Sequence, residues 1–216
     1  MNPKFIFSLC TAAIVMAMPP SFAATTEDKS WDVNNPDFSA RPRTARFDVD
    51  EGTWMSLDVS PDGKTIAFDL LGDIYTMPIS GGDATPVTAG LAWDIQPRFS
   101  PDGSEIAFIS DRAGGDNVWL LDMESGKPRQ LTYEKFRLLN NPSWSQDGQY
   151  IAARKHYTTS RSLGTGEIWL YHVDGDAKQT GQRVVQRPSK TFQTELGEPM
   201  CTADGRGLYF TRDVTP

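Results

Sequence analysis

The chain has 216 residues, with 21 basic and 28 acidic side chains and a formal net charge of −7. A sequence pI near 4.8 excludes a binder of duplex nucleic acid, whose polyanionic backbone is held by clustered Lys and Arg. With 38% apolar and 11% aromatic residues the composition is globular rather than disordered, collagenous or coiled-coil.

The amino-terminal segment reads as an address. Lys4 gives a positive start, Phe5 to Met18 carries no charge, and Pro19-Pro20 and Ser21-Phe22-Ala23 come next. These are the charged, apolar and small-residue regions of an export signal, with cleavage expected after Ala23. The apolar run is short for a helix that must cross about 30 Å of hydrocarbon. Cys10, preceded by bulky Leu9 and early in the run, does not suit lipid attachment. Residues 1–23 are therefore expected to be a signal peptide, 24–44 a linker and 45–216 the folded region, periplasmic or secreted and without a membrane span. After cleavage Cys201 is the only cysteine, which excludes an intramolecular disulfide.

Four segments then repeat: L-D-V-S-P-D-G-K-T-I-A-F from Leu57, P-R-F-S-P-D-G-S-E-I-A-F from Pro97, P-S-W-S-Q-D-G-Q-Y-I-A-A from Pro142, and P-M-C-T-A-D-G-R-G-L-Y-F from Pro199. The turn glycines Gly63, Gly103, Gly148 and Gly205 recur at 40, 45 and 57 residues. Periods of about 40–45 residues suit a four-stranded propeller blade. Ser-Pro-Asp-Gly is turn chemistry: Pro presets φ, Asp caps, and Gly accepts positive φ. Apolar residues alternate on both sides of it, as in strands. The first- and second-strand anchors lie 7 apart every time: Val59–Ile66, Phe99–Ile106, Trp144–Ile151 and Cys201–Leu208. Third strands are expected at 73–77, 117–121 and 167–171, and fourth strands at 86–88, 129–132 and 183–185.

The fold class is thus all-β, a propeller of four-stranded antiparallel blades with repeats beginning near 55, 95, 140 and 197. Three blades are complete and a fourth is begun, so the chain is expected to be an open arc belonging to a longer protein, with Ala45 to Val49 closing the last blade. The second-to-third-strand connections lengthen along the chain and share a face with the inter-blade loops. The tight turns lie on the other face. Variable loops carry function, which directs attention to the long-loop face.

Ser-Pro-Asp-Gly followed by Ile-Ala-Phe, then Ser110-Asp111-Arg112, an Ile/Val-Trp/Tyr strand and Leu131-Thr132, resembles the TolB-like, WD-related propeller repeat of exported bacterial proteins. More narrowly, 50–63, 70–82, 136–141 and 153–164 resemble the amino-terminal propeller of exported propeller-fused amidohydrolases. That resemblance implies a non-catalytic scaffold or substrate-access module. A divalent metal, zinc, is then expected only in a further, carboxy-terminal domain. The implied partner is that domain, or another protein, on the long-loop face. Alternative readings are a TolB-like periplasmic adaptor, or the propeller of a prolyl-oligopeptidase or tricorn-type serine peptidase. The short stretch before Leu57 leaves little room for the α/β domain that precedes the propeller in TolB.

No catalytic, cofactor-binding or metal-ligating residue is assigned within the chain. Asp62, Asp102, Asp147 and Asp204 occupy identical turn positions and read as caps. Cys201 takes the slot of Val59, Phe99 and Trp144, a small buried hydrophobe rather than a nucleophile. Tyr75, Trp119 and Trp169 share one strand position and read as core. His156 is expected to open a long loop, Arg154 to Gly166, and His172 to sit at the surface of a strand end. The two histidines show no metal-ligand spacing. No Gly-x-Ser-x-Gly elbow, phosphate loop or dinucleotide fingerprint is present.

Overall fold

The computed structural model describes residues 48–135, 138–157, 165–175, 181–186 and 196–212. All of these fall within one unit of the chain, 31–216. The export-signal and linker segments, and Ala45 to Phe47 of the expected closing strand, lie outside the described residues. Asp48 and Val49 are described and are not in a strand.

Every regular element among the described residues is a strand. The first sheet has the order β1 (Leu57–Val59), β2 (Thr65–Leu70), β3 (Asp73–Pro78), β4 (Thr85–Pro86). The second runs β5 (Asp94–Phe99), β6 (Glu105–Ser110), β7 (Asn117–Asp122), β8 (Pro128–Gln130). The third runs β9 (Leu139–Trp144), β10 (Tyr150–Tyr157), β11 (Thr165–His172), β12 (Gln182–Val185). A fourth begins with β13 (Met200–Cys201) and β14 (Leu208–Tyr209). All pairings are antiparallel. This is an open propeller of successive up-and-down blades, as the repeats predict.

The turn fixes the register. Val59↔Ile66, Phe99↔Ile106, Trp144↔Ile151 and Cys201↔Leu208 are direct cross-strand partners, so the spacing of 7 is one hairpin geometry used four times. In each hairpin the hydroxyl of Ser60, Ser100, Ser145 or Thr202 donates to the carboxylate two residues on, at 2.6 Å. The same carboxylates of Asp62, Asp102, Asp147 and Asp204 accept the N–H of Lys64, Ser104, Gln149 and Arg206 at 3.0–3.1 Å. The hydroxyl and N–H bonds, in that order, hold all four carboxyls below their ordinary value of 3.8. A carboxyl depressed in the folded state stabilises fully above its unfolded value and loses that contribution as pH falls through the lower folded value. Urea midpoints should therefore drop below about pH 4, and replacing the four aspartates by asparagine should flatten that drop. Asp73 and Asp116, raised chiefly by burial, act in the opposite direction, so the comparison with the variant isolates the turns.

Among the described residues the core divides into three, one between each pair of neighbouring blades. Ala67 and Ile74 of the first blade meet Phe99, Ile106, Phe108 and Leu121 of the second. Ala107, Ile109, Val118 and Leu120 turn the other way, onto Leu139, Trp144, Ile151 and Ala153 of the third. Ala152 and Ile168 of the third pack with Leu196, Cys201 and Leu208. Period-2 alternation in β6 therefore buries both of its faces. Val59 keeps the expected register yet is 41% exposed, because Phe99, Trp144 and Cys201 each face the preceding blade and no described blade lies on that side of Val59.

The first strands of successive blades adjoin one another and form the inner edge. In β5 and β9 that edge is bulged: Gln96-Pro97 and Asn141-Pro142 interrupt the ladders to β6 and β10, with Gln96 at φ 59 and Asn141 at φ 54. The N–H groups released by the bulges go to the preceding blade. Gln96 N–H donates to Asp69 Oδ2 at 2.7 Å, and Asn141 N–H to Gln96 Oε1 at 2.7 Å. Further out, Phe99 N–H donates to Asp58 and Cys201 N–H to Ser143 Oγ, tying each first strand to the one before.

Candidate functional site

The β2–β3 turn, the β6–β7 loop and the inter-blade connections gather on one face, opposite the four Asp-capped turns. Asp73 after the β2–β3 turn, Asp94 at the end of an inter-blade connection, and Arg112 from the β6–β7 loop meet there. Asp94 is fully buried and its carboxylate pairs with the Arg112 guanidinium. That guanidinium lies 5.3 Å from the Phe108 ring centroid and 5.1 Å from that of Trp119. Burial, and then the Asp94 charge, raise the carboxyl of Asp73, while Arg112 opposes them. One oxygen of Asp73 and one of Asp94 are buried without a hydrogen-bond partner.

The third blade repeats the device with other residues. Lys155 Nζ pairs with Glu134 Oε1 at 2.6 Å and lies 4.3 Å from the Trp169 ring centroid. Glu134 belongs to the connection entering β9. Each cation thus sits on the third-strand tryptophan of its own blade and holds an acid of the connection into that blade. In the first blade Tyr75 stacks on Phe68 instead, with ring centroids 5.7 Å apart. Between the two cationic clamps, Asn117 joins the β6–β7 loop to the connection: its Nδ2 donates to the carbonyls of Gly115 and Glu134, and its Oδ1 accepts from Thr132 Oγ1 and Glu134 N–H. A cavity of about 390 Å³ opens beside it, lined by Ala113 to Gly115, Asn117, Gln130, Tyr133, Glu134 and Lys135. It lies on the loop face.

Several expected positions are revised. Tyr75, Trp119 and Trp169 are half-buried; Trp119 and Trp169 pack against the cores between blades as expected, with Arg112 and Lys155 over their rings. His156 does not open a loop: β10 continues to Tyr157, and His156 pairs with Gly166 beside Arg154. The chain between β10 and β11, 158–164, lies outside the described residues. His172 is half-buried, its ring edge-on to Tyr150 at 4.9 Å, and its Nδ1 accepts the Asp174 N–H. The two histidines sit at opposite ends of the β10–β11 pair and do not converge. Cys201 is half-buried, and burial raises its thiol above the ordinary 9.0, the reverse of an activated nucleophile. Among the described residues no group of three His, Cys, Asp or Glu could hold a metal ion, and no helix is long and apolar enough to cross a membrane.

The Asp94–Arg112 and Glu134–Lys155 pairs escape sequence reasoning, since their partners lie 18 and 21 residues apart on different elements. The only signal is the Ser-Asp-Arg run after a second strand.

Comparison with known proteins agrees with this architecture. Tricorn protease homolog 1 of Streptomyces coelicolor is 33% identical over 92 residues, 43% of this chain and 9% of that protein. The uncharacterized peptidase YuxL of Bacillus subtilis is 32% identical over 196 residues, 72% of this chain and 29% of that protein. The chain therefore spans less than a third of either relative. A protein given as TolB from Agrobacterium tumefaciens shares the fold, with a TM-score of 0.55 and 22% identity over 73% of this chain and 57% of that one. The tricorn protease N-terminal beta propeller domain matches residues 54–213. The chain is a TolB-like β-propeller that belongs to the tricorn protease N-terminal propeller family.

Proposed function

We propose that this chain is the propeller portion of an exported peptidase of the tricorn or prolyl-oligopeptidase type, non-catalytic itself, and that its loop face admits substrate or docks the catalytic domain. The observation that carries this reading is the match of residues 54–213 to a protease propeller family, alongside two relatives that are themselves named as proteases or peptidases. The loop face supports the assignment of role. Among the described residues, Asp94 with Arg112 and Glu134 with Lys155 are committed to clamping connections, and neither pair forms a nucleophile and base. Export rests on the signal-like residues 1–23.

The amidohydrolase reading, with its zinc domain, yields to this one because the relatives name proteases. The two differ in the catalytic domain that each attaches to the propeller. The full-length gene product, isolated from the periplasmic fraction, should be labelled by a fluorophosphonate probe and cleave peptides in the presence of EDTA. Residues 1–216 alone should do neither. Chelator-sensitive amide hydrolysis without fluorophosphonate labelling would restore the amidohydrolase, and hydrolysis by residues 1–216 would overturn the non-catalytic role.

A further inference from the structure

The loop face of the first blade carries an apolar patch whose backbone is strained. Trp54 is fully exposed at φ 58, and Leu71 is 68% exposed at φ 55. Bulky side chains rarely adopt the left-handed region, and strain of this kind collects at binding sites and clamps. Two such residues, both pointing apolar groups into water, serve no core. Their chain neighbours meet at the same end of the first blade. Met55, next to Trp54, approaches Gly52 as Leu70 does, and Leu71 is the next residue after Leu70. The ring of Trp93, 55% exposed, lies against Gly72, where an added Cβ would come within 2.8 Å of it. Gly72 is therefore fixed by the tryptophan as much as by its own φ of +89.

The rim of this patch is acidic. Asp50 and Glu51 precede Trp54 and are exposed. On the other side Asp111 accepts the Trp93 N–H at 2.8 Å, and Asp116 stands close enough to Asp111 for the two charges to repel. Neither Asp111 nor Asp116 has an ion-pair partner among the described residues. The nearby cations are already engaged, Arg112 by Asp94 and Arg98 by the carbonyls of Leu57 and Pro97. Exposed tryptophan faces beside unneutralised carboxylates attract a cation that carries apolar stem, which a lysine or arginine side chain supplies.

We propose that the surface formed by Trp54, Leu71 and Trp93, with Asp50, Glu51, Asp111 and Asp116 at its rim, captures a cationic segment of polypeptide through its arginine or lysine side chains. This does not depend on the peptidase reading, because capture needs no catalytic domain. The test is fluorescence anisotropy of the full chain with a fluorescein-labelled Ala-Arg-Ala-Arg-Ala peptide, and with glutamine and glutamate counterparts. The arginine peptide should bind, more weakly as salt is raised, and the other two should bind far less. Trp54→Ala should weaken binding about fivefold, the scale of a lost exposed cation–π contact, without changing the urea midpoint, since Trp54 packs into no core. Asp50→Asn with Glu51→Gln should weaken it as well and blunt the salt dependence. Equal binding of arginine and glutamine peptides, or undiminished binding by Trp54→Ala, would overturn the proposal. So would Trp54-dependent dimerisation in sedimentation without peptide binding, which would assign the patch to a second copy of the chain.

Discussion

Replacing Phe108 with alanine should cost about 3–5 kcal/mol of stability in urea denaturation of the full chain. The ring is fully buried, on the face of β6 that packs against the first blade. It also floors the Arg112 guanidinium at 5.3 Å. Its removal opens a cavity between two sheets whose backbones are held apart by their own ladders and cannot collapse to fill it. Trp119→Ala should cost less, because the indole is half-buried and one of its faces meets the Arg112 guanidinium. Lys127→Ala, exposed at a turn, should change stability by no more than about 0.5 kcal/mol. Equal costs for Phe108→Ala and Lys127→Ala would mean that the blade interface is wrongly drawn.

The second large effect concerns the ion pair beneath the loop face. Arg112→Met leaves the buried Asp94 carboxylate, one oxygen of which is already unpaired, without its cation. Removing one member of a buried pair costs about 3–5 kcal/mol. The double variant Asp94→Asn, Arg112→Met removes both charges and should regain most of that loss, because the penalty lies in the stranded charge rather than in the missing contact. Arg112→Met alone should also push the Asp73 carboxyl further up, since Arg112 is the cation that opposes its rise. If single and double variants are equally unstable, Arg112 matters for its packing over Phe108 and Trp119 and not for its pairing with Asp94.

Register and blade order are legible in the sequence because each turn carries its own instructions. A hydroxyl, an aspartate and a glycine at fixed offsets leave one hairpin geometry, and the anchors at Val59, Phe99, Trp144 and Cys201 then have only one possible partner. The extent of β10 is not legible. Arg154, Lys155 and His156 are polar and look like loop, yet they continue the ladder because Glu134 neutralises Lys155 and the Trp169 ring takes its ammonium. The third-strand aromatics are less buried than their pattern suggests for a related reason: alternation says which face a residue takes, not how far the neighbouring connection covers it. The clamps themselves join residues that only the stacking of blades brings together. No local spacing encodes such a pair.

The bulged prolines on the inner strands have a consequence for any chain that passes along them. A sheet edge normally recruits extended peptide by offering alternating donors and acceptors, the mode known as strand addition. Here Pro97 and Pro142 have no N–H, and those of Gln96 and Asn141 are consumed by the blade before. The edges of β5 and β9 are consequently blunt toward main chain, although they belong to well-formed sheets. A polypeptide sliding past them meets side chains but no template for pairing, so it is free to move on. A β-rich wall lined in this way does not seed strand addition by extended chain.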